Sequence, residues 1–359
     1  MNLNDNIFKK HVQAWFESEI KPNIQAWSEQ DVLPIRALIK SLSDSELLVS
    51  GWTEPYGQNN IRKQLYLHYT LAQQPIGGIG LCLTSHIDIG ARCLLEKGSQ
   101  SLIFKWLPKA LNGEAIFSLA MTEPDAGSDL QGIGFSAEQS DDGWVLNGTK
   151  RGITNLPFAD VAIVLARTHP SRSPFSYSLF LVPLNTQGIT REDALPTIGY
   201  EGCLGGFNAQ QAVIPNENLI GQSGAGLIML MQHLETERLF VSARMLGLAE
   251  HLFSRLLSLP NGKNNQAVKL KIELIAYQEY FEACVQNQEQ KQLSTKDSAA
   301  LKYMGSKLLS ALTHAYSERS GLSGYLNGNM AERYSTEAMG LSLAGGSKEI
   351  MLSLIGDAL

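Results

Sequence analysis

The stretch Met121-Thr-Glu-Pro-Asp-Ala-Gly-Ser-Asp129 lies close to the point where the periodicity of the chain changes. It follows an apolar run typical of a strand, and it gathers proline, glycine, hydroxyl groups and backbone amides into one turn. Such a loop can present N–H and O–H donors to a ring carbonyl or a phosphate, although an ordinary polar β-turn has the same composition. The sequence on either side of the loop therefore has to decide the fold.

The sequence before the loop has a helical period, and the sequence around and after it does not. From Asp5 to about Gly113 apolar residues recur at helical spacing, as in IRALIKSLSDSELL at residues 35–48. From about Glu114 short stretches rich in Val, Ile, Phe and Tyr alternate with Asn, Gly, Asp and Pro. Asn147-Gly148 lies between two such stretches and predicts a hairpin turn, because both residues tolerate positive φ. A compact antiparallel β-domain should therefore extend to about Gly221.

The helical period returns from Gly224 and continues towards the end of the chain. It is interrupted at Ser258–Gln266, where Pro260, Asn261 and Gly262 predict a loop between two helices. The predicted fold class is therefore α+β, with an N-terminal α-helical domain at residues 1–115, a central antiparallel β-domain at 116–222 and a C-terminal α-helical bundle at 223–359.

Composition excludes several classes of function. With 359 residues and 44% hydrophobic content the chain can bury a large core. Its 29 Lys and Arg against 35 Asp and Glu give a net charge of −6, without a basic cluster that would bind nucleic acid. Scattered cysteines and histidines predict buried thiols and no metal site or disulfide framework. Neither a signal peptide nor a membrane-spanning run is recognisable, so we expect a cytoplasmic protein.

Several short motifs occur in an order that is typical of one family. They are Leu107-Pro108 with Gly113-Glu114, Thr122–Asp129, Asn147–Lys150, Ile153–Asn155, Pro215–Gly221 and Glu237-Arg238. By these motifs the chain resembles the acyl-CoA dehydrogenases over nearly its whole length, and the ordered set is specific where each motif alone is weak. The resemblance implies a flavoprotein of this three-part fold that uses FAD to dehydrogenate an acyl thioester, with homodimers or homotetramers as the usual assembly.

The resemblance also assigns residues to the flavin. Those that would line it include Leu119, Met121, Thr122, Gly127, Ser128, Ile153 and Thr154. Thr122 and Thr154 would hydrogen-bond the ring, and Ser128 would lie near both flavin and substrate. Ser347 and Glu349 would begin the last helix near the flavin. Gly152 stands where the family usually has a Trp beside the ring.

One cofactor contact of the family concerns a neighbouring subunit. Gln266 matches a glutamine that reaches the FAD of that subunit, whereas the Arg-x-x-Phe-Gly element that usually precedes it is absent from residues 254–266. The resemblance therefore predicts Gln266 as a cofactor contact on a shortened interface.

The predicted reaction needs a carboxylate base, because a proton must leave the carbon next to the thioester carbonyl while the flavin accepts a hydride. Many members place this Glu in a Tyr-Glu-Gly-Thr motif, where this chain has Gly345. The isovaleryl- and long-chain-type members instead use a Leu-x-x-Glu-Arg motif, which Leu234–Arg238 matches. Glu237 is therefore the predicted base, with Leu234 and Arg238 at the substrate.

The helical period agrees with this assignment. At about 100° per residue, Leu230, Leu234, Glu237, Val241 and Leu248 fall within a narrow arc, so Glu237 should point into the apolar interior. Burial should raise the pKa of its carboxyl towards a value useful for a base. A buried structural ion pair with Arg244 is the alternative.

Gly345 and Gly346 would then let the acyl thioester approach the backbone closely. A plain glycine-rich turn between helices is the alternative for these two residues.

The function predicted from sequence is α,β-dehydrogenation of an acyl group carried on coenzyme A or on a carrier protein, in fatty acid or secondary metabolism. A separate electron acceptor would reoxidise the flavin. Two other classes remain open: a homologue that has lost catalysis and serves as a scaffold, and a flavin oxidase or monooxygenase of the same fold.

Overall fold

The computed structural model describes residues 1, 3–30, 32–75, 78–171, 173–199 and 202–357. The part of the chain before the sheet is helical, as predicted, and comprises α1 (Asn6–Trp15), α2 (Ile24–Gln30), α3 (Ile35–Asp44), α4 (Ile61–Leu71), α5 (Ile79–Leu83), α6 (Arg92–Lys97) and α7 (Gln100–Leu111). The π-helical segment Phe16–Ile20 extends α1, and a second one, Thr84–Ala91, joins α5 to α6.

Helix α3 shows how the sequence determines these elements. It buries Leu38, Ile39 and Leu42 on one face, while Lys40 on the other face forms an ion pair with Asp44 at 2.9 Å. The helix therefore forms because one apolar stripe has a core to pack against.

Within the described residues eight strands form one sheet: β1 (Phe117–Ala120), β2 (Ser136–Ser140), β3 (Gly143–Thr154), β4 (Val161–Arg167), β5 (Tyr177–Pro183), β6 (Ile189–Arg191), β7 (Leu204–Ile214) and β8 (Leu219–Ile220). Their order is β6-β7-β3-β2-β4-β5-β8. The sheet is mostly antiparallel, as predicted, but β1 pairs with β4 in parallel, and β2 also meets β4 in parallel at one residue pair.

The hairpin predicted at Asn147-Gly148 is wrong. Strand β3 runs through both residues, and its register against β7 shifts between Leu146 and Gly148. Gly148 has φ +134° there, and Asn147 Oδ1 accepts a hydrogen bond of 2.8 Å from the amide of Gln211 on β7. Asn147 lies opposite both Gln210 and Gln211, so the extra residue of this bulge is on β7 and the dipeptide lies inside one long strand.

The chain after the sheet is again helical and comprises α8 (Gly226–Ser258), α9 (Asn265–Glu289), α10 (Thr295–Ser320), α11 (Met330–Leu343) and α12 (Lys348–Gly356). The predicted loop therefore lies between α8 and α9. None of the described helices combines the length and apolarity needed to span a bilayer. All four cysteines are buried free thiols, as predicted.

Helix α8 belongs to both hydrophobic cores of the molecule. Its first turns, including Leu227 and Leu230, pack into the core formed by the N-terminal helices and the sheet. From Leu239 onwards it packs into the core of the C-terminal helices. The segment between Leu230 and Leu239, which contains Glu237, therefore lies at the seam between the two cores.

Gly148, beside the bulge between β3 and β7, cannot carry a side chain on steric grounds. A Cβ on Gly148 would lie 2.8 Å from the backbone Cα of Phe135, at a φ that L-residues rarely adopt. We expect Gly148→Ala to lower the free energy of unfolding by about 2–4 kcal/mol, because strain and a backbone contact add. Gly356→Ala, where a Cβ would meet nothing within 4 Å, is the control and should change stability by less than about 1 kcal/mol. Equal effects of the two changes in urea titrations would contradict the bulge assignment.

Candidate active site

Glu237 lies on the buried face of α8, as predicted. Its side chain is 8% exposed, and Leu230, Leu234, Val241 and Leu248 on the same face are all buried. The predicted burial of Glu237 is therefore confirmed, whereas α8 is buried on all sides from Glu237 to Ala249 and not only along this arc.

The carboxyl group of Glu237 faces the turn between α11 and α12. A Cβ built on Gly345 would lie 3.6 Å from Glu237 Cδ and 3.6 Å from Val241 Cγ2. Gly345 and Gly346 have φ of +68° and +104°, so the backbone here adopts conformations that favour glycine. We call Gly345-Gly346 the glycine turn. The structure thus brings together the predicted base and the two glycines predicted to contact substrate.

Glu237 has no direct counter-ion among the residues that the structure describes. Its Oε2 is buried without a hydrogen-bond partner in that part of the chain, and no Lys, Arg or His nitrogen described there is placed in an ion pair with it. Burial raises the pKa of Glu237, while the cations Arg244, Arg238 and Lys302 oppose this rise. Arg244, with which the sequence left an ion pair open, opposes the rise most strongly of the three cations.

Arg238, predicted at the substrate, lies next to the base and is also buried. Its Nε makes no hydrogen bond to any described residue. Burial lowers the pKa of this guanidinium, and Glu237 and Glu235 partly restore it. The seam therefore contains a donor and an acceptor whose hydrogen-bonding capacity the described chain does not use, as expected of a site that binds a polar ligand.

Arg244 is part of a buried polar network on the same face of α8. Its Nη1 donates to the Gly80 carbonyl at 2.5 Å and to Thr84 Oγ1 at 2.7 Å, and lies 3.2 Å from His68 Nδ1. His68 Nε2 lies 2.7 Å from Asp88 Oδ2. Burial lowers the pKa of His68, so the ring is neutral, accepts from Arg244 at Nδ1 and donates to Asp88 at Nε2.

The predicted flavin loop is tied to β3 by a buried lysine. Lys150 Nζ donates to the Met121 carbonyl and to Glu123 Oε1, both at 2.8 Å. The Glu123 carboxylate also accepts from the amides of Gly134 and Phe135. Burial lowers the pKa of Lys150 to about 8, with Glu123 opposing the shift. The loop is therefore held in one conformation before any ligand binds.

Thr122, a predicted flavin contact just after β1, is bonded to β3 near the end of that strand. Thr122 Oγ1 donates to the Arg151 carbonyl at 2.6 Å, and the Arg151 amide donates to the Thr122 carbonyl at 3.1 Å. Gly152 follows with φ +73°, and a Cβ there would meet only Thr122 Oγ1, at 3.7 Å. Because the backbone at Gly152 is left-handed and bulged, a tryptophan at this position would be strained.

The loop itself is open to a ligand. Gly127 and Ser128 are exposed, and their amides make no hydrogen bond to another described residue. A Cβ on Gly127 would meet nothing within 4 Å. These amides, together with the hydroxyls of Ser128 and Thr122, form a polar surface beside an open space, which suits the polar edge of a flat ring.

The π-helical segment Thr84–Ala91 connects this polar surface to the base. Ser85 Oγ accepts from the Leu119 amide at 3.2 Å, and the neighbouring Thr84 accepts from Arg244 of α8. Asn155 Nδ2 adds bonds to the carbonyls of Cys82 and Phe117 at 2.9 and 3.0 Å. The strand ends and α8 are therefore fixed to the same short segment.

The remaining predicted cofactor residues divide into two groups. Ser347 accepts from the Ile350 amide and begins α12 directly after the glycine turn, with Glu349 exposed in the first turn. Gln266, in contrast, accepts from Arg319 at 2.7 Å at the start of α9. It follows the end of α8, about 30 Å along the helix axis from Glu237. Within one chain Gln266 is therefore separate from the rest of the site.

Two buried lysines at this site were not singled out from the sequence. Lys302 lies fully buried beside the glycine turn, and Lys150 lies fully buried beneath the flavin loop. A signal existed for Lys302, because it falls on the helical period of Ser298, Ser306 and Leu309, all of which are buried on α10. Its partners could not be predicted, since they are backbone carbonyls of a distant turn.

Comparison with known proteins agrees with this geometry. Three family descriptions match successive parts of the chain: "Acyl-CoA dehydrogenase, N-terminal domain" at residues 4–114, "Acyl-CoA dehydrogenase, middle domain" at 118–206 and "Acyl-CoA dehydrogenase, C-terminal domain" at 224–359. The matches leave only short gaps.

Individual relatives are similar along their lengths. The mitochondrial long-chain specific acyl-CoA dehydrogenase of Sus scrofa is 29% identical, covering 98% of this chain and 85% of the relative. The mitochondrial isovaleryl-CoA dehydrogenase of Solanum tuberosum is 25% identical, covering 97% and 89%. The crystal structure of an acyl-CoA dehydrogenase from Geobacillus kaustophilus superposes with a TM-score of 0.93 at 24% identity, covering 100% and 98%. This last likeness shows the fold.

The burial of Glu237 predicts a gain in stability when its charge is removed. Because the pKa is raised in the folded state, the contribution of Glu237 to stability is fully present below its unfolded pKa and is lost as pH rises through the folded pKa. Glu237→Gln should therefore raise the free energy of unfolding at pH 8 by on the order of 1–3 kcal/mol. The gain should shrink as the pH falls towards 4.5, the ordinary value for Glu.

Thermal or urea unfolding of both proteins across this pH range measures the effect. Glu279→Gln, on the exposed face of α9, is the control and should show no such pH-dependent gain. A Glu237→Gln protein that is less stable than the wild type at pH 8 would show that the carboxylate is a structural charge.

Proposed function

The chain belongs to the acyl-CoA dehydrogenase family, and from this premise we propose that Glu237 is the base with which it dehydrogenates an acyl thioester. It is an oxidoreductase acting on a CH–CH bond, and its cofactor is FAD. The observation that supports Glu237 is a buried carboxylate oxygen without a partner among the described residues, facing a turn in which Gly345 leaves the room that a side chain would fill.

The environment of Glu237 suits proton abstraction from carbon. The α-proton of a thioester is weakly acidic, so the base must be more basic than an ordinary carboxylate and still be deprotonated at neutral pH. Burial raises the pKa of Glu237, and the nearby cations oppose this rise. Bound substrate would displace the remaining water, which strengthens both effects.

The residues around the base support binding as well. Leu234 and Val241 flank Glu237 on α8 with buried apolar side chains, while Arg238 supplies a buried donor nitrogen without a described partner. The glycine turn allows the thioester to approach the backbone, whose amides can donate to the thioester oxygen. Donors fixed in this way stabilise negative charge as it develops on that oxygen.

The polar surface at the end of β1 fits the family's cofactor. The amides of Gly127 and Ser128, which bond to no other described residue, suit ring carbonyls, and the open space at Gly152 leaves room for a flat ring. Thr122 Oγ1 donates its proton to the Arg151 carbonyl, so towards the ring it can accept a hydrogen bond. We propose that Leu119, Met121, Thr122, Gly127, Ser128, Ile153 and Thr154 bind the ring, together with Ser347 and Glu349. When bound there, FAD supplies the acceptor for the hydride.

Finer features of the function rest on the sequence prediction. We propose that the acyl group is carried on a phosphopantetheine arm, of coenzyme A or of a carrier protein, and that a separate electron acceptor reoxidises the flavin. We also propose a homodimer or homotetramer in which Gln266 serves a neighbouring subunit's cofactor, because Gln266 is separate from the site of its own chain. Cytoplasmic placement and a role in secondary metabolism stay predictions.

The decisive experiment is an anaerobic absorbance titration of the FAD-loaded protein with short acyl thioesters on coenzyme A and on a carrier protein. The wild type should bleach with at least one of them. Glu237→Gln should slow bleaching by about 10²- to 10⁴-fold, the usual effect of losing a general base, with FAD content unchanged. Bleaching by only one carrier class would identify the carrier.

The matched control is Glu235→Gln, which lies on the same helix and whose carboxylate accepts a hydrogen bond from Thr295. It should bleach at close to the wild-type rate. A wild type that binds FAD and is bleached by no thioester would exclude dehydrogenation and favour the scaffold alternative, and rapid oxygen consumption during turnover would favour the oxidase alternative.

A further inference from the structure

Lys302 is a fully buried lysine in the C-terminal bundle. Its Nζ reaches from α10 to the neighbouring turn, where it donates to the Ser342 carbonyl at 3.0 Å and to the Gly346 carbonyl. Burying an ammonium group is costly unless its donors are used. Two of its three donors satisfy carbonyls at the end of α11 and in the glycine turn, so the side chain has a defined position.

Lys302 also flanks the carboxyl group of Glu237. A Cβ built on Gly345 would lie 3.6 Å from Lys302 Cε and 3.6 Å from Glu237 Cδ, so the two side chains approach the same glycine. The described hydrogen bonds of Lys302 Nζ go to backbone carbonyls and not to the Glu237 carboxylate. Lys302 is therefore close enough to act on the carboxylate through space without occupying its free oxygen.

We propose that Lys302 is a positioning residue of the dehydrogenation reaction, which fixes the glycine turn against Glu237 and places a positive charge beside the base. This inference rests on the proposed function. It deepens that function by naming one of the cations that favour the ionised, proton-accepting form of a buried carboxylate.

The reason for this arrangement is a balance between two requirements. A carboxylate in a direct ion pair would be a weak base, because its charge is satisfied, whereas a buried carboxylate with no cation nearby would be protonated at neutral pH. Lys302 donates its hydrogen bonds to backbone carbonyls, so it acts on Glu237 only through the electrostatic field of its positive charge. Burial lowers the pKa of Lys302 to about 8, and Glu237 opposes this shift, so the lysine is charged at neutral pH.

The other charged groups near the base come from different elements. Arg238 and Arg244 lie on α8 itself, and Asp88 faces it from the π-helical segment. Arg244 donates to Gly80 and Thr84. It lowers the pKa of Glu237 more than Arg238 and Lys302 do, whereas Asp88 raises that pKa. Lys302 is the cation that contacts both the base's surroundings and the glycine turn, so its removal should affect both.

The test compares FAD-loaded wild type with Lys302→Met, Lys302→Arg and the exposed-lysine control Lys307→Met on the same helix. The rate of flavin bleaching by the active thioester is measured against pH and thioester concentration. In Lys302→Met the acidic limb of the rate profile should move up by about one pH unit, because Glu237 loses a cation. The maximal rate should fall about tenfold or more, with less than about threefold change in the half-saturating thioester concentration.

Lys302→Arg keeps the charge and should keep the limb within about half a pH unit of the wild type. Hydrogen exchange of the peptide covering residues 342–349 gives a readout that does not depend on activity, and it should quicken in Lys302→Met and not in Lys307→Met. If Lys302→Met fails to fold, Lys302→Gln, which retains a donor but no charge, should show the same shift of the limb.

The outcomes separate this inference from the function on which it rests. A wild type that no thioester bleaches overturns both. An active wild type, combined with Lys302→Met or Lys302→Gln profiles that match it, overturns the role of Lys302 alone. A Lys302→Arg limb displaced as far as that of Lys302→Met would also overturn it, because the retained charge would then have no effect.

Discussion

The site depends on a carboxylate that is buried on a helix shared by two hydrophobic cores. Helix α8 packs its first turns against the sheet and its later turns into the C-terminal bundle, and Glu237 lies between these parts. A charged group at such a place costs free energy unless it is compensated. The continuous helix offsets that cost because its apolar residues before and after Glu237 are buried in the two cores. The fold can therefore tolerate one buried carboxylate that has a catalytic role.

The two glycines near this carboxylate leave free the space that a side chain would fill. A Cβ at Gly345 would point to the same place as the carboxyl group of Glu237, at 3.6 Å. A glutamate at position 345 and a glutamate at position 237 can therefore deliver a carboxylate to one point from two different elements. When the base comes from α8, the position on the turn has to be small, and the left-handed backbone there accepts glycine without strain.

Much of the fold could be predicted from the sequence because burial is periodic and local. The helices, the strands and the burial of Glu237 on α8 could be predicted from that period, whereas the turn predicted at Asn147-Gly148 was wrong. A turn and a bulge use the same positive φ, and the partner strand β7, which donates from Gln211 to Asn147, decides between them. For the site, the resemblance pointed to Glu237 and the glycines, but the distant carbonyls bound by Lys302 and Lys150 could not be read from spacing.

The polar network around Arg244 determines where along its axis α8 can lie. Apolar side chains tolerate small shifts of one helix past another, whereas a guanidinium bound to Gly80, Thr84 and His68 accepts one arrangement. The same π-helical segment also bonds the Leu119 amide through Ser85. Since Leu119 precedes the predicted flavin loop and Arg244 follows Glu237 on one helix face, the network fixes the base relative to the loop. The position of Glu237 relative to the predicted flavin loop thus depends on hydrogen bonds that neither hydrophobic core needs for its own packing.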